Sequence, residues 1–248
     1  MSDAFFVGYL PAPPEHGRRM RRAAWALVVV ALAAATALGI ATGPFDRASF
    51  EYGVTRSWRG TVELEPVPVL VVAESDDGSP FVAPVRYPLV ARGKHGAREA
   101  VAPFDGAQVA VRGSKITRGE TTMIEIAPGS MAKVDRSLPA SRVEDRGRAV
   151  FSGEIVDSKC FLGVMNPGRL AVHRACALRC LAGGVPPMLF ARDPRGREAH
   201  LILVDARGGA LAARIADLVA QPVEVSGRLE LRDDLYYLYA DEWRPLPR

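Results

Sequence analysis

The sequence predicts a mainly β fold, with one N-terminal transmembrane helix followed by two five-stranded β-barrel modules, the second carrying a short helical Cys-rich insert. Three observations predict it. An uncharged apolar run lies near the N-terminus, a set of short strand-like segments recurs at one fixed offset, and 26 residues interrupt the second copy between its first two strands.

From Ala23 to Phe45 no residue is ionisable, and a run of that length crosses about 30 Å of hydrocarbon as a helix. Arg18, Arg19, Arg21 and Arg22 stand directly before it, whereas Asp46 and Arg47 cancel after it. The positive-inside rule then places residues 1–22 in the cytoplasm and the chain after residue 45 in the periplasm, as a single-pass protein of a bacterial inner membrane with the lipid bilayer as its first partner. A cleaved signal peptide has an apolar core of only about 7 to 15 residues, so an uncleaved anchor is expected. The tail from Asp3 to Pro14 is aromatic and proline-rich. Too short to bury itself, it is expected to lie on the headgroup layer or to dock on a neighbouring membrane protein.

Apolar residues make up 48% and charged residues 24% of the 248, which excludes a disordered chain. The net charge of +4 is no nucleic-acid field, because residues 1–22 hold half of it. Arg supplies 28 of the 32 cations, a background bias of a GC-rich genome rather than a phosphate-binding signal. No nucleic-acid partner is expected.

The modules follow from an internal repeat. Val109-Ala110-Val111-Arg112-Gly113 and Val223-Glu224-Val225-Ser226-Gly227 are 114 positions apart, and at the same offset Leu89-Val90 falls on Leu203-Val204, Arg118 on Arg232 and Thr122-Met123-Ile124 on Tyr236-Tyr237-Leu238. Each copy opens with a strand around a glycine, Gly60 or Gly153, and continues with a strand introduced by Pro68 or Pro187. Val109, Val111, Val223 and Val225 alternate with polar or small residues, the pattern of half-buried strands. Strand, strand, strand, glycine loop, strand, turn and strand resembles the OB-fold, a partly open Greek-key barrel. The modules are placed at 50–130 and 148–248, joined by a charged linker from Pro128 to Arg148.

Gly60 precedes Pro68 by 8 positions, but Gly153 precedes Pro187 by 34, and the added stretch, within 157–186, contains all three cysteines. Asn166-Pro167-Gly168 is a turn, the following dozen residues favour helix, and Gly183-Gly184 stops it. On that helix His173, Cys176 and Cys180 would lie on one narrow face. The run D-S-K-C, L-G-x-M-N-P-G, H-x-x-C-A-x-x-C and G-G-x-P-P, read from Asp157 to Pro187, resembles a signature that recurs in uncharacterised bacterial membrane-anchored proteins with tandem OB-like periplasmic domains. The resemblance implies a family and no activity.

Three chemistries suit these residues. An oxidising compartment favours a disulfide, with Cys160 bridged to Cys176 or Cys180, since an intrahelical bridge would be strained. Cys160, His173, Cys176 and Cys180 are also the three thiolates and one imidazole of a closed zinc site, and suit copper(I), to which Met165 and Met188 could add thioethers. Thiol catalysis, with His173 activating Cys176, is the third reading, but no C-x-x-C motif is present. Elsewhere Lys94-His95-Gly96 reads as a solvated turn, His200 as a strand residue satisfied by sheet neighbours, Tyr236, Tyr237 and Tyr239 as β-formers, and Asp233-Asp234 as a hairpin turn. With no hydrolytic or phosphate-binding motif in the chain, the expected role is an accessory protein of a membrane redox or respiratory system, holding zinc or copper and meeting a membrane protein partner through the tail or the barrels. Its alternatives are a disulfide-stapled interaction subunit and a thiol-disulfide oxidoreductase.

Overall fold

The computed structural model describes residues 13–41, 48–74, 78–135, 141–193, 195–206 and 211–247. It divides into two compact units, Met1–Phe45 and Asp46–Arg248.

The first unit is helix α1, Pro14–Ala41. It starts well before the uncharged run: Pro14 sits at the first helical position, where its missing N–H is not needed, and the arginines and alanines that follow are good helix formers. The four arginines of the expected tail are therefore helical. The helix is long and apolar enough to cross a membrane, a property it shares with signal sequences. Residues 1–12 of the tail and 42–45 of the expected span lie outside the described residues.

The second unit holds twelve described strands: β1 Ala48–Phe50, β2 Arg56–Glu63, β3 Val69–Glu74, β4 Pro80–Val90, β5 Gln108–Arg118, β6 Thr121–Ile126, β7 Ala132–Lys133, β8 Val143–Asp157, β9 Pro187–Arg192, β10 Glu198–Asp205, β11 Pro222–Arg232 and β12 Leu235–Pro245. A short helix, α2, Arg98–Val101, precedes β5. Two rings close, β2-β3-β4-β6-β5 and β8-β9-β10-β12-β11, with β1 and β7 added to β5. Both rings run first, second, third, fifth, fourth. In both, only the third and fifth strands pair in parallel, with Leu89 opposite Ile124 in one and Leu203 opposite Leu238 in the other. These are the two OB-like barrels. The offset of 114 carries β5 onto β11 end to end, and Gly60 and Gly153 face the equivalent residues Val109 and Val223.

Glycine is required where strands cross closely. A Cβ on Gly60 would lie 2.3 Å from the Val71 carbonyl oxygen, and one on Gly153 would lie 2.3 Å from that of Phe190. Both barrels thus use the same glycine to bring their first strand against the second.

Three hydrophobic cores result. Val62, Leu70, Leu89, Val109, Val111 and Ile124 fill the first barrel, and Ile155, Leu189, Leu201, Val223, Val225 and Leu238 the second. The third lies in the seam between them, where Val69, Val71, Ile116 and Met123 meet Met188, Phe190, Tyr237 and Tyr239 around Cys160, Phe161, Leu162, Cys180 and Val185 of the insert. β3 and β9 are therefore buried on both faces, the physical reason that they read as unbroken apolar runs rather than alternating ones. The tyrosines of β12 divide likewise: Tyr237 and Tyr239 are seam residues, and Tyr236 stays exposed.

Two elements differ from expectation. β8 begins at Val143, inside the stretch read as linker, because its extension pairs with the end of β11, Val143 opposite Arg232. The insert helix, α3, spans only Arg174–Ala182, preceded by a tight turn over Ala171–His173. Leu170 has φ 68, and its N–H donates to the Glu154 carboxylate, so the chain turns there before the helix starts. His173 consequently stands at the N-cap position of α3, just before the helix that carries Cys176 and Cys180.

Candidate metal centre

The motif that opens the insert is explained residue by residue. Asp157 ends β8 fully buried; its Oδ1 accepts the Cys160 N–H at 2.8 Å, fixing the wide helical turn Cys160–Val164. Ser158 Oγ donates to the Pro186 carbonyl at 2.7 Å, closing the base of the insert. Lys159, 2% exposed, crosses to the first barrel, where its Nζ meets Glu125 Oε2 at 2.5 Å, the Ala91 carbonyl at 2.7 Å and the Gly93 carbonyl at 2.6 Å. A buried ammonium is tolerated only when so satisfied. Arg118 of β5 reaches the other way, donating from Nε to the Phe161 carbonyl at 2.6 Å with its guanidinium 4.2 Å above the Phe161 ring.

Cys160 then faces α3. Its Sγ lies 3.9 Å from Cys176 Sγ and 3.8 Å from Cys180 Sγ, and the three sulfurs are all within 4.8 Å of one another. Cys160 and Cys180 are buried and Cys176 is half-buried, and all three are free thiols. The expected neighbours of a disulfide are therefore present, with no bond between them. A second group shares Cys160: Asp157, Cys160 and His173 also present ligand atoms within 4.8 Å of one another, all three buried. Either group could hold a metal ion.

His173 is brought to the site, with a ring nitrogen within 4.8 Å of the Cys160 sulfur. Its Nε2 is 2.9 Å from Asp157 Oδ2, with side chains 5% and 0% exposed. Cys176 has a further polar neighbour that the three readings did not include, Lys94 Nζ at 2.6 Å from its Sγ. Met188 is fully buried in the seam core and Met165 is exposed.

The electrostatics set the two buried cysteines apart. The hydrogen bond with Cys180, followed by burial and the Asp157 charge, pushes the Cys160 thiol up. The same hydrogen bond holds Cys180 below the ordinary thiol range, against burial. The Lys94 ammonium is raised, first by its hydrogen bond to Cys176 and then by the other two cysteines. Cys160 is thus the harder of the two thiols to ionise, and the Lys94 amine stands beside Cys176.

Lys94 escaped the sequence reading. The turn that contains it is exposed at Lys94 and His95, as expected, and is in addition docked on the C-terminus of α3. Gly96 N–H donates to the Gly183 carbonyl at 2.9 Å, and a Cβ on Gly96 would lie 2.1 Å from the Gly184 oxygen, one on Gly183 only 1.9 Å from the Lys94 oxygen. No side chain but hydrogen fits there. Gly183 and Gly184 stop α3, as expected, and in addition admit the first barrel's loop. His200 also differs: its Nδ1 meets Thr121 Oγ1 of the first barrel at 2.8 Å, not a sheet neighbour. Asp233 and Asp234 form the expected turn and grip the first barrel as well, Asp234 Oδ1 accepting the Arg86 N–H at 2.7 Å.

No protein-family model matches the chain, and neither a curated protein nor a solved structure matches it, so the two barrels, the apolar helix and the cysteine cluster stand without an identified family.

Proposed function

We propose that the chain is a membrane-anchored periplasmic protein that binds a thiophilic metal ion, zinc or copper, through Cys160, Cys176 and Cys180, with His173 completing the set, as an accessory to a membrane redox or respiratory system. The observation that carries this reading is the spacing of the sulfurs. With metal–thiolate bonds of about 2.3 Å, the edge of a tetrahedron is about 3.8 Å, and Cys160 stands 3.9 and 3.8 Å from the other two sulfurs. Asp157 fits the role of the carboxylate that orients a ligating histidine, being in hydrogen-bond contact with His173 Nε2. The ion would join the turn after β8 to α3 within the seam core, so binding would act directly on folding.

The anchor and the compartment rest on helix α1 and the arginines at its start. A membrane protein partner, met through the tail or the barrels, belongs to the same reading.

The test is elemental analysis of the purified full chain in detergent, with a count of titratable thiols under non-reducing conditions. One equivalent of zinc or copper, lost together with metal-protected thiols in Cys160→Ser, is expected. Metal-free protein with two thiols blocked would replace this reading by the disulfide-stapled interaction subunit.

A further inference from the structure

We infer that Lys94 of the first barrel is the gate of the cysteine site, an ammonium held over Cys176 that must swing away for a metal ion to enter or leave. The inference rests on the metal-binding reading above and assigns that site an exchange route and a regulator.

Burial singles out one direction. Cys160 and Cys180 are 3% and 1% exposed, deep in the seam core, and Cys176 alone is half-buried. The Cys176 sulfur is in contact with Lys94 Nζ at 2.6 Å, and Lys94 is itself exposed. An ion therefore reaches the sulfurs past one flexible side chain, with Cys176 as its first ligand on entering and its last on leaving.

The gate is built, not incidental. Its loop is fixed on both sides by the insert: Lys159, next to Cys160, holds the Ala91 and Gly93 carbonyls, and Gly183, three residues after Cys180, accepts the Gly96 N–H. The backbone of Lys94 is pinned while its four-carbon stem stays free to rotate.

Charge gives the gate its sign. Three thiolates around a divalent ion leave one net negative charge, which one ammonium neutralises, and a charge-assisted hydrogen bond to a metal-bound thiolate strengthens the loaded state. In the loaded protein the gate is closed by attraction; a competing anion or a thiol-bearing acceptor that draws Lys94 away opens it. The site on this reading hands its ion over, rather than keeping it as a purely structural ligand set would.

The experiment loads the full chain in detergent micelles with zinc and follows its transfer to the chromogenic chelator 4-(2-pyridylazo)resorcinol. Loss of such an outer partner changes metal retention by about 10–100-fold, so Lys94→Met is expected to release zinc that much faster, Lys94→Arg to stay near wild type, and Lys133→Met, at an exposed lysine of the same barrel, to have no effect. Cobalt(II) substitution reports the ligand set, and the thiolate-to-cobalt absorption of Lys94→Met should match wild type. Equal release rates for wild type and Lys94→Met would overturn the gate and leave the metal site standing. Loss of the thiolate-to-cobalt band in Lys94→Met would also overturn it, by making Lys94 a structural support. A wild-type chain that takes up no zinc would overturn both readings.

Discussion

Arg86 and Asp233 form an ion pair across the seam, Nε to Oδ2 at 2.8 Å, with both side chains 1% exposed. The guanidinium also binds Glu63 at 2.7 Å, within its own barrel. Asp233 holds φ 53 at the turn between β11 and β12, and its other oxygen accepts the Arg142 N–H at 2.8 Å. One carboxylate thus ties Arg86 of the first barrel to the β11–β12 turn and the start of β8.

Removing one partner of a buried pair is destabilising, by up to about 3–5 kcal/mol, and without Asp233 the buried Arg86 would keep only the half-exposed Glu63 as its counter-charge. Asp233→Ala is expected to lose about 2–4 kcal/mol of stability in urea unfolding of the full chain, the remaining Glu63 pair keeping the loss below the upper end of that range. A loss under 1 kcal/mol would mean that water reaches Arg86 and the seam is open.

Gly183→Ala would push a methyl group to 1.9 Å from the Lys94 carbonyl oxygen. Overpacking of this kind costs about 1–3 kcal/mol, and here the loop must also lift from α3. The expected outcome is a lowered Tm together with faster alkylation of Cys176, read by mass spectrometry. Gly17→Ala, on α1 with nothing within 4 Å, is the comparison that should lower neither Tm nor Cys176 protection, since alanine is the better helix former.

Cys160 belongs to both ligand groups, whereas Cys176 belongs to one. A ligand at a hundredfold excess over its Kd stabilises the native state by about 2.7 kcal/mol. Zinc should raise the wild-type Tm accordingly, a chelator should reverse the rise, and Cys160→Ser should abolish it more completely than Cys176→Ser. Equal responses from all three proteins would separate the zinc effect from the cysteines.

His200 provides the pH dependence. Burial, the dominant cause, with the Arg118 charge adding and Glu198 opposing, pushes its imidazole down to about 4, from about 6.5 in an unfolded chain. Thr121 holds Nδ1, Phe161 presents its ring edge-on at 5.2 Å, and Nε2 is buried without a hydrogen-bond partner among the described residues. The unfolded chain then binds more protons than the folded one between the two values, so this contribution is complete above about pH 6.5 and is lost as pH falls towards 4, by about 3 kcal/mol. His200→Gln should flatten the stability profile in that window while leaving its shape above pH 7 unchanged. An unaltered acid limb in the variant would transfer the effect to another group.

Much of this was legible in the sequence, and the reasons are physical. Strand pairing is periodic, so the offset of 114 and the matched pairs Gly60 with Gly153 and Pro68 with Pro187 located both barrels. The convergence of Cys160 on Cys176 and Cys180 followed from a turn, a helix and a spacing. Lys94 left no such trace, because a lysine in a glycine turn has no period and its sulfur partner is 82 residues away. The turn at Leu170, which shortens the insert helix to Arg174–Ala182, left no trace either, because it depends on a carboxylate from β8. Contacts between the barrels depend on how two closed surfaces meet, and neither repeat nor periodicity encodes that.

The doubly buried β3 and β9 have a consequence for cooperativity. Each contributes alternate side chains to its own barrel and to the common wall, so melting either barrel strips apolar cover from the other and exposes Met188, Phe190 and Tyr237 or Val69 and Val71 to water. The pair shares one free energy of unfolding and should melt in a single calorimetric transition; half of it expressed alone would be an incomplete protein with a sticky face, not a smaller stable one.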